Sequence, residues 1–482
     1  MDPQLVDRLA SDLRAADFTV DALAGLWGPE ASAALHRGHR MSALRALDGS
    51  PLARLARVFV LGLPDDLGPA LPSLGVDGAV ELGLIGTDGT PRLDLRPYAF
   101  VDGRGIVNWW IASDLGEVAL GHAIPEDHVL GVGGASTTLS GLLIARPVQR
   151  ALDLGTGCGI QAMHVARHAR EVVATDISPR ALELAALNCR LNGIGNVEFR
   201  LGNLFEPVAG ERFGHVVSNP PFVITPRSTG VPEYEYRDGG MVGDGLVESV
   251  VRSAHEVLEP GGVAQLLGNW EYGRRDALAR VREWTEGLDA WVIERDRQDP
   301  ARYAETWIRD GGTRPGPEFD RLYAAWLDDF GRRGVHEIGF GYVTLRAPMG
   351  QPTLRRFERL EAPVGAALGE SIERSLAAHD RIVDTDVRDL RLMVAPDVTE
   401  ERHYWPGSEH PTVIQLRQGS GFSRTVPAGT ALAAVVGACD GDLEVGAIIA
   451  AVAELLEADR DALEAELLPQ IRELVELGLL LV

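Results

Sequence analysis

The chain has 482 residues, 45% of them hydrophobic, enough to bury a large core and to divide into two or three domains. A formal charge of −24 excludes a surface that is basic throughout, the usual footprint of a general nucleic-acid binder. All 46 basic residues are arginine, which excludes chemistry that needs a lysine, such as a Schiff base or a P-loop.

Cys158, Cys189 and Cys439 are too few and too scattered for a disulfide framework or a CxxC metal site. No apolar run is long enough to span a bilayer. The N-terminal run MDPQLVDRLASDL is amphipathic and acidic, without the basic-then-apolar order of a signal peptide. These features predict a reduced, cytoplasmic protein with no metal and no membrane contact.

In chain order, residues 1–115 read as a helical, winged-helix-like N-terminal domain. Leu5, Leu9 and Leu13, then Val20, Leu23 and Leu26, recur at helical spacing. The extended runs LDLRPYAFV and GIVNWWIASD are joined by the turn-forming Asp102-Gly103 and predict a hairpin. Between residues 31 and 60, Arg37, Arg40, Arg45, Arg54 and Arg57 face only Asp48, a local net of +4 that suits either an acidic partner such as RNA or a solvated helix face.

Residues 116–349 read as the catalytic domain, with strands and helices alternating from 149 to 268. That alternation predicts a parallel sheet with helices on both faces, and ligands bind such sheets beyond the carboxyl ends of the strands. The Gly-, Ser- and Thr-rich stretch 126–142 ahead of the first strand is either a connector or part of the pocket lining. Residues 270–335, rich in Arg and Asp, read as a helical insertion or lid, and IGFGYVTLRAP (338–348) as a late strand. Residues 350–482 read as an acidic, winged-helix-like C-terminal domain, a hairpin followed by three helices, for packing or protein contact.

Three strand ends carry chemistry. Asp153-Leu-Gly155-Thr156-Gly157-Cys-Gly159 closes a strand and opens a helix, so glycines can bring backbone N–H groups close to a ligand. Its G-x-G-x-G spacing differs from the G-x-G-x-x-G of nicotinamide sites. Asp176 ends the next strand, where a carboxylate can accept both hydroxyls of a ribose or simply cap the following helix. Asn219-Pro220-Pro221-Phe222 ends a later one.

The first two motifs resemble those of class I S-adenosylmethionine-dependent methyltransferases over residues 149 to about 268, which implies a Rossmann-like, seven-stranded α/β sheet. The resemblance implies S-adenosyl-L-methionine as cofactor. Asp153, Gly155, Thr156, Gly157 and Gly159 would then border its methionine part, with Asp176 and Ile177 at the ribose, Asn203 and Leu204 near the adenine, and Asn219 completing the set. The family often has an acid near the adenine amino group; here Asn203 can accept that hydrogen bond through its amide oxygen.

The tetrapeptide resembles the (D/N)PP(F/Y/W) motif of methyltransferases that act on amide or exocyclic amino nitrogens. The Asn219 side-chain oxygen and the Pro220 carbonyl can both accept from a planar NH₂ group, and Phe222 can stack on the flat acceptor. Residues 234–245, beginning Tyr-Glu-Tyr-Arg-Asp-Gly-Gly, can form a flap. His215 and Asp238 are minor candidates for a base, and the role of each is as readily structural.

The expected reaction is methyl transfer to a nitrogen. The acceptor is a protein glutamine amide, as in the release-factor glutamine enzymes, or a base amino group of ribosomal or transfer RNA. A small molecule, or a catalytically silent cofactor-binding scaffold, are the remaining readings. A ribosome-associated partner fits the first two, and oligomeric state is not legible.

Overall fold

The computed structural model describes residues 2–120 and 124–482, without the side chains of residues 117 and 118. It divides into two compact units, Met1–Leu139 with Pro147–Arg359, and Ser140–Arg146 with Leu360–Val482. No helix among the described residues is long and apolar enough to cross a membrane.

The larger unit begins with helices and the hairpin β1 (Leu93–Asp102) and β2 (Gly105–Asp114), antiparallel through the expected turn. Its sheet then gathers β3 (Val148–Leu154), β4 (Ala169–Asp176), β5 (Val197–Leu201), β6 (Phe213–Ser218), β7 (Leu258–Tyr272), β8 (Asp289–Gln298), β9 (Glu337–Arg346) and β10 (Arg355–Arg359). Their order is β10-β8-β9-β7-β6-β3-β4-β5. β9 is antiparallel to β7 and β8, and the other neighbours are parallel.

The chain steps outward from β3 to β4 and β5, then returns to lay β6 on the other side of β3. That reversal opens a crevice at the strand ends. Leu154 pairs with Ser218 across it, so the glycine loop and the Asn-Pro-Pro turn leave the sheet side by side. All six residues of β6 are buried, as befits a central parallel strand covered on both faces. His215 on that strand is structural: its ring nitrogens meet His168 Nε2 at 3.0 Å and Gln265 Oε1 at 3.1 Å.

Two expectations are corrected here. The sheet has eight strands rather than seven, because Arg355–Arg359 adds in parallel to β8. The span 270–335 is not a purely helical insertion, since it contains β8, inserted between β10 and β9. The apolar run Ala290–Ile293 is short and surrounded by charge, which hides a strand; folding pairs those charges. Glu294, buried within the sheet, accepts from Trp270 Nε1 and Tyr272 Oη at 2.6 Å each and from Arg359 Nε at 2.9 Å. The inserted helices proper are Pro300–Asp310 and Pro317–Arg333. They bury Tyr303, Ile308, Trp326 and Phe330 against Val223 and Ile224, just after the Asn-Pro-Pro turn. The predicted lid is therefore a wall that supports the site.

The N-terminal helices share one core with the helices Ile160–Val165 and Pro179–Leu191 of the sheet layer. Residues 1–115 thus pack into the larger unit. Two asparagines four apart on Pro179–Leu191 and its cap complete the edge of β2. Asn188 accepts from Ala112 N–H at 2.7 Å and donates to Ala112 O at 2.9 Å. Asn192 does the same for Trp110 at 2.9 and 2.7 Å. A helix face substitutes here for a neighbouring strand.

In the smaller unit a helix, Leu368–Ile382, precedes a hairpin and three further helices. β13 (Val413–Gln418) pairs with β14 (Thr425–Ala428) and with the preceding strand Val398–His403, and helices Thr430–Gly437, Val445–Leu455 and Arg460–Glu476 follow. A second small sheet of Arg391–Val394, Asp440–Glu444 and Leu480–Leu481 closes their core.

Candidate cofactor and acceptor site

After Leu154 the chain turns through Gly155 to Gly159 into the helix Ile160–Val165. Gly157 has a φ of +55°, which disfavours any residue with a Cβ, and open space lies where that Cβ would be. Gly159 is needed for a different reason: a Cβ there would sit 2.9 Å from Ala185 Cβ on the neighbouring helix. The loop is anchored by Gly155 and Thr156 N–H groups on Thr175 O, both at 2.9 Å.

Asp153 does not reach the cavity. It is fully buried beneath the loop, where its Oδ2 accepts from Thr156 Oγ1 at 2.6 Å and Ala162 N–H at 2.8 Å. Burial pushes its carboxyl up to about 7, against the two hydrogen bonds and helped by the nearby Asp176. A carboxyl raised in the folded state keeps a proton that the unfolded chain releases, so its contribution to stability is lost as pH rises toward 7. Relative to Asp153→Asn, the wild-type chain should lose about 1.4 kcal/mol of unfolding free energy per pH unit between roughly pH 5 and 7. Denaturant titrations of both chains across that range measure it, and a pH-independent difference would refute the raised value.

Asp176 at the end of β4 divides its oxygens. Oδ2 accepts from Gly157 N–H and Oδ1 from Ser178 N–H, both at 2.9 Å. Burial raises its pKa and these backbone bonds oppose the rise. Each oxygen keeps a lone pair for a ligand hydroxyl. Leu204, beside Asn203 at the end of β5, has a φ of +46°, a strained conformation for a branched residue.

The loop, Asp176 to Ser178, Gly202 to Leu204 and Ser218 to Pro221 line one cavity of about 310 Å³. Thr156, Ile177, Asn203, Leu204, Asn219, Pro220 and Pro221 all border it. Asp153, Gly159 and Phe222 are not among its lining residues. Phe222 instead packs on Phe340 and Trp307, with ring centroids 5.6 and 6.4 Å away, so it supports the turn rather than stacking on an acceptor. Asn219 Oδ1 is buried and has no hydrogen-bond partner, a costly state that a bound NH₂ group would relieve.

Both undecided segments contribute walls: His128 to Gly131 and Ser136 from one, Glu235, Tyr236 and Asp238 to Gly240 from the other. Glu235 N–H donates to Glu126 O at 2.9 Å, and Tyr236 meets His128 edge-on at 6.0 Å. Arg237 holds the second segment to the inserted helix through Trp307 O at 2.6 Å and Asp310 at 2.9 Å. Tyr303 Oη accepts from Ile224 N–H at 3.0 Å and Asn269 Nδ2 at 2.6 Å, fixing the exit of the turn. Tyr303, Trp307 and Asn269 were not legible as site residues, because no local motif marks them and their roles depend on packing across the insertion.

Comparison with known proteins bears on this geometry. Residues 132–288 match the Methyltransferase small domain family, and residues 15–96 match a family described as a domain of unknown function, DUF7059. A release factor glutamine methyltransferase of Xylella fastidiosa is 36% identical over 156 residues, 31% of this chain and 56% of that protein. A ribosomal protein uL3 glutamine methyltransferase of Bradyrhizobium diazoefficiens is 36% identical over 149 residues, 28% of this chain and 45% of that protein. A protein of Methanocaldococcus jannaschii, provisionally named a protein N5-glutamine methyltransferase, is 30% identical over 134 residues, 27% of this chain and 67% of that protein.

The chain belongs to this methyltransferase family. It spans about half the length of the first two relatives. The cofactor of the methyltransferase is S-adenosyl-L-methionine, and the cavity suits it. Asp176, Glu235 and Asp238 are carboxylates, and no arginine is among the described residues that line the space. That lining favours a sulfonium cation over a pyrophosphate. The bare backbone at Gly157 would border its methionine part, and Asp176 would hold the ribose hydroxyls.

Proposed function

We propose that this methyltransferase transfers a methyl group to the side-chain amide nitrogen of a glutamine in a protein. The observation that carries the reading is the buried, unpartnered Asn219 Oδ1 in an Asn-Pro-Pro turn at the cofactor cavity. The names of its relatives supply the glutamine. The cofactor, when bound, supplies an electrophilic methyl on sulfur.

The chain's own residues then act on the acceptor. An amide nitrogen is a poor nucleophile because its lone pair is delocalised into the carbonyl. Asn219 Oδ1 and the Pro220 carbonyl accept its two hydrogens and draw the nitrogen toward the pyramidal, electron-rich form it reaches in the transition state. Proline at 220 sets the direction of that carbonyl. The turn is held rigid from behind by Tyr303 and by Phe222 packed on Phe340 and Trp307, so the nitrogen is oriented before reaction.

The RNA reading is less well supported. A nucleotide brings phosphates beside its base, and the cavity wall offers carboxylates instead. Three of the five arginines at 37–57 are occupied within the N-terminal region: Arg40 on Leu61 O, and Arg54 and Arg57 on Asp65. We further assign the protein to the cytoplasm, with a partner from the translation apparatus. The helices-then-hairpin order of the N-terminal flank and the hairpin-then-helices order of the C-terminal flank support reading both as winged-helix-like.

The test is to incubate the protein with methyl-labelled cofactor and, separately, a purified bacterial release factor, ribosomal protein uL3 and total RNA. Label recovered as N5-methylglutamine after proteolysis is the expected result. Label released only by ribonuclease, or none with any acceptor despite tight cofactor binding, would overturn it.

A further inference from the structure

The glutamine reading accounts for the two amide hydrogens but not for the proton that must leave. Three carboxylates line the cavity, and two are unsuited to take it. Both oxygens of Asp176 hold backbone amides, and Glu235 is exposed to solvent. Asp238 differs. Its side chain is only 2% exposed, Arg227 holds Oδ1 at 2.8 Å and the Thr225 hydroxyl lies beside the carboxylate, while buried Oδ2 makes no close hydrogen bond.

Its position follows from the backbone. Phe222 and Asp238 form an isolated antiparallel bridge, and Val223 N–H donates to Arg237 O at 2.9 Å. Asp238 therefore lies alongside the Asn-Pro-Pro turn, and Asn219, Pro220, Pro221 and Asp238 border the same space. Two buried acceptors that make no close hydrogen bond, Asn219 Oδ1 and Asp238 Oδ2, thus belong to adjoining stretches of one wall.

We propose that Asp238 is a catalytic carboxylate that accepts the amide proton through Oδ2, a role that rests on the glutamine reading. As the N–CH₃ bond forms and the methyl–sulfur bond breaks, the nitrogen becomes positively charged. The hydrogen first held by the Pro220 carbonyl then passes to Oδ2: its N–H bond breaks, the electron pair returns to nitrogen and restores conjugation with the carbonyl, and the proton bonds to Oδ2. The resulting carboxylic acid passes that proton to water when the product leaves. Arg227 fixes the carboxylate in place throughout. The groups around it are Arg227, Arg237 and the Thr225 hydroxyl, which favour its charged form, and Glu233, which opposes it. Burial outweighs them and raises its pKa, which brings it closer to an effective base near neutral pH.

The test measures single-turnover methylation of whichever protein acceptor the wild type labels, across pH, with cofactor affinity measured separately. Asp238→Asn should reduce the rate about 100-fold or more while changing cofactor affinity by less than about twofold. The wild-type rate should fall as pH drops through the Asp238 titration, and that acid limb should vanish in Asp238→Asn and return in Asp238→Glu. Arg227→Met should cost less and keep the limb, moved to higher pH.

If Arg227→Met reproduces the whole Asp238→Asn loss, Asp238 is an anchor for the flap and the proposal is overturned. A wild-type rate in Asp238→Asn overturns it as well, leaving the glutamine reading intact. Failure of the wild type to label any protein overturns both.

Discussion

Asn219→Ala is expected to lower methyl transfer by about 100-fold to 1,000-fold, the usual cost of removing one preorganised polar group from a transition-state site. Cofactor affinity should stay nearly unchanged, because Asp176 and the glycine loop are untouched. The same substitution should leave the fold as stable as before, or slightly more so. Asn219 Oδ1 is buried without a partner, and removing such an acceptor relieves a desolvation cost of about 1–3 kcal/mol. Beside the cofactor cavity, such an acceptor suits a group that meets a ligand NH₂. Thermal melting, cofactor calorimetry and a labelled-methyl assay on one preparation check all three statements. A large loss of stability, or activity equal to wild type, would remove Asn219 from the proposed role.

Asp176→Ala should weaken cofactor binding by about 100-fold or more, with little change in the rate once the site is saturated. Hydrogen bonds to a charged group contribute about 1.5–3 kcal/mol each, and a ribose diol makes two of them with one carboxylate. The change also releases the N–H groups of Gly157 and Ser178, each now held at 2.9 Å, so the loop and the following helix should loosen together. A drop in stability of about 1–3 kcal/mol is expected beside the affinity loss. Titration calorimetry with S-adenosyl-L-methionine gives the first quantity and denaturant unfolding the second. An unchanged dissociation constant would leave Asp176 as a helix cap alone.

The two predictions separate roles that the primary structure already suggested were distinct. In the proposed reaction Asp176 would serve the cofactor, and Asn219 the acceptor. Their mutual placement depends on the return of β6 alongside β3, which pairs Leu154 with Ser218 and sets the two loops next to each other.

The motifs were legible because they are local. A short apolar strand that ends in Gly-x-Gly-x-Gly, in Asp176 or in Asn-Pro-Pro announces both its own end and the backbone geometry there. The same locality misled for Asp153, Gly159 and Phe222. They belong to the motifs but turn away from the cavity, to brace the loop, to admit Ala185 and to pack on Phe340. Strand β8 was hidden for a related reason. Its charges read as solvent-facing until Arg359, Trp270 and Tyr272, distant in the chain, arrive to satisfy Glu294.

Taken alone, the primary structure determined the class of sheet, the cofactor loop and the acceptor turn, since each rests on residues within one turn of chain. Only the tertiary structure decided the eighth strand, the wall made by the helices Pro300–Asp310 and Pro317–Arg333, and the burial and Arg227 pairing of Asp238. Those features depend on which polar atoms folding pairs and which it leaves unpaired. That pairing joins residues far apart in sequence, Ile224 with Tyr303 or Ala112 with Asn188, and no local pattern records it.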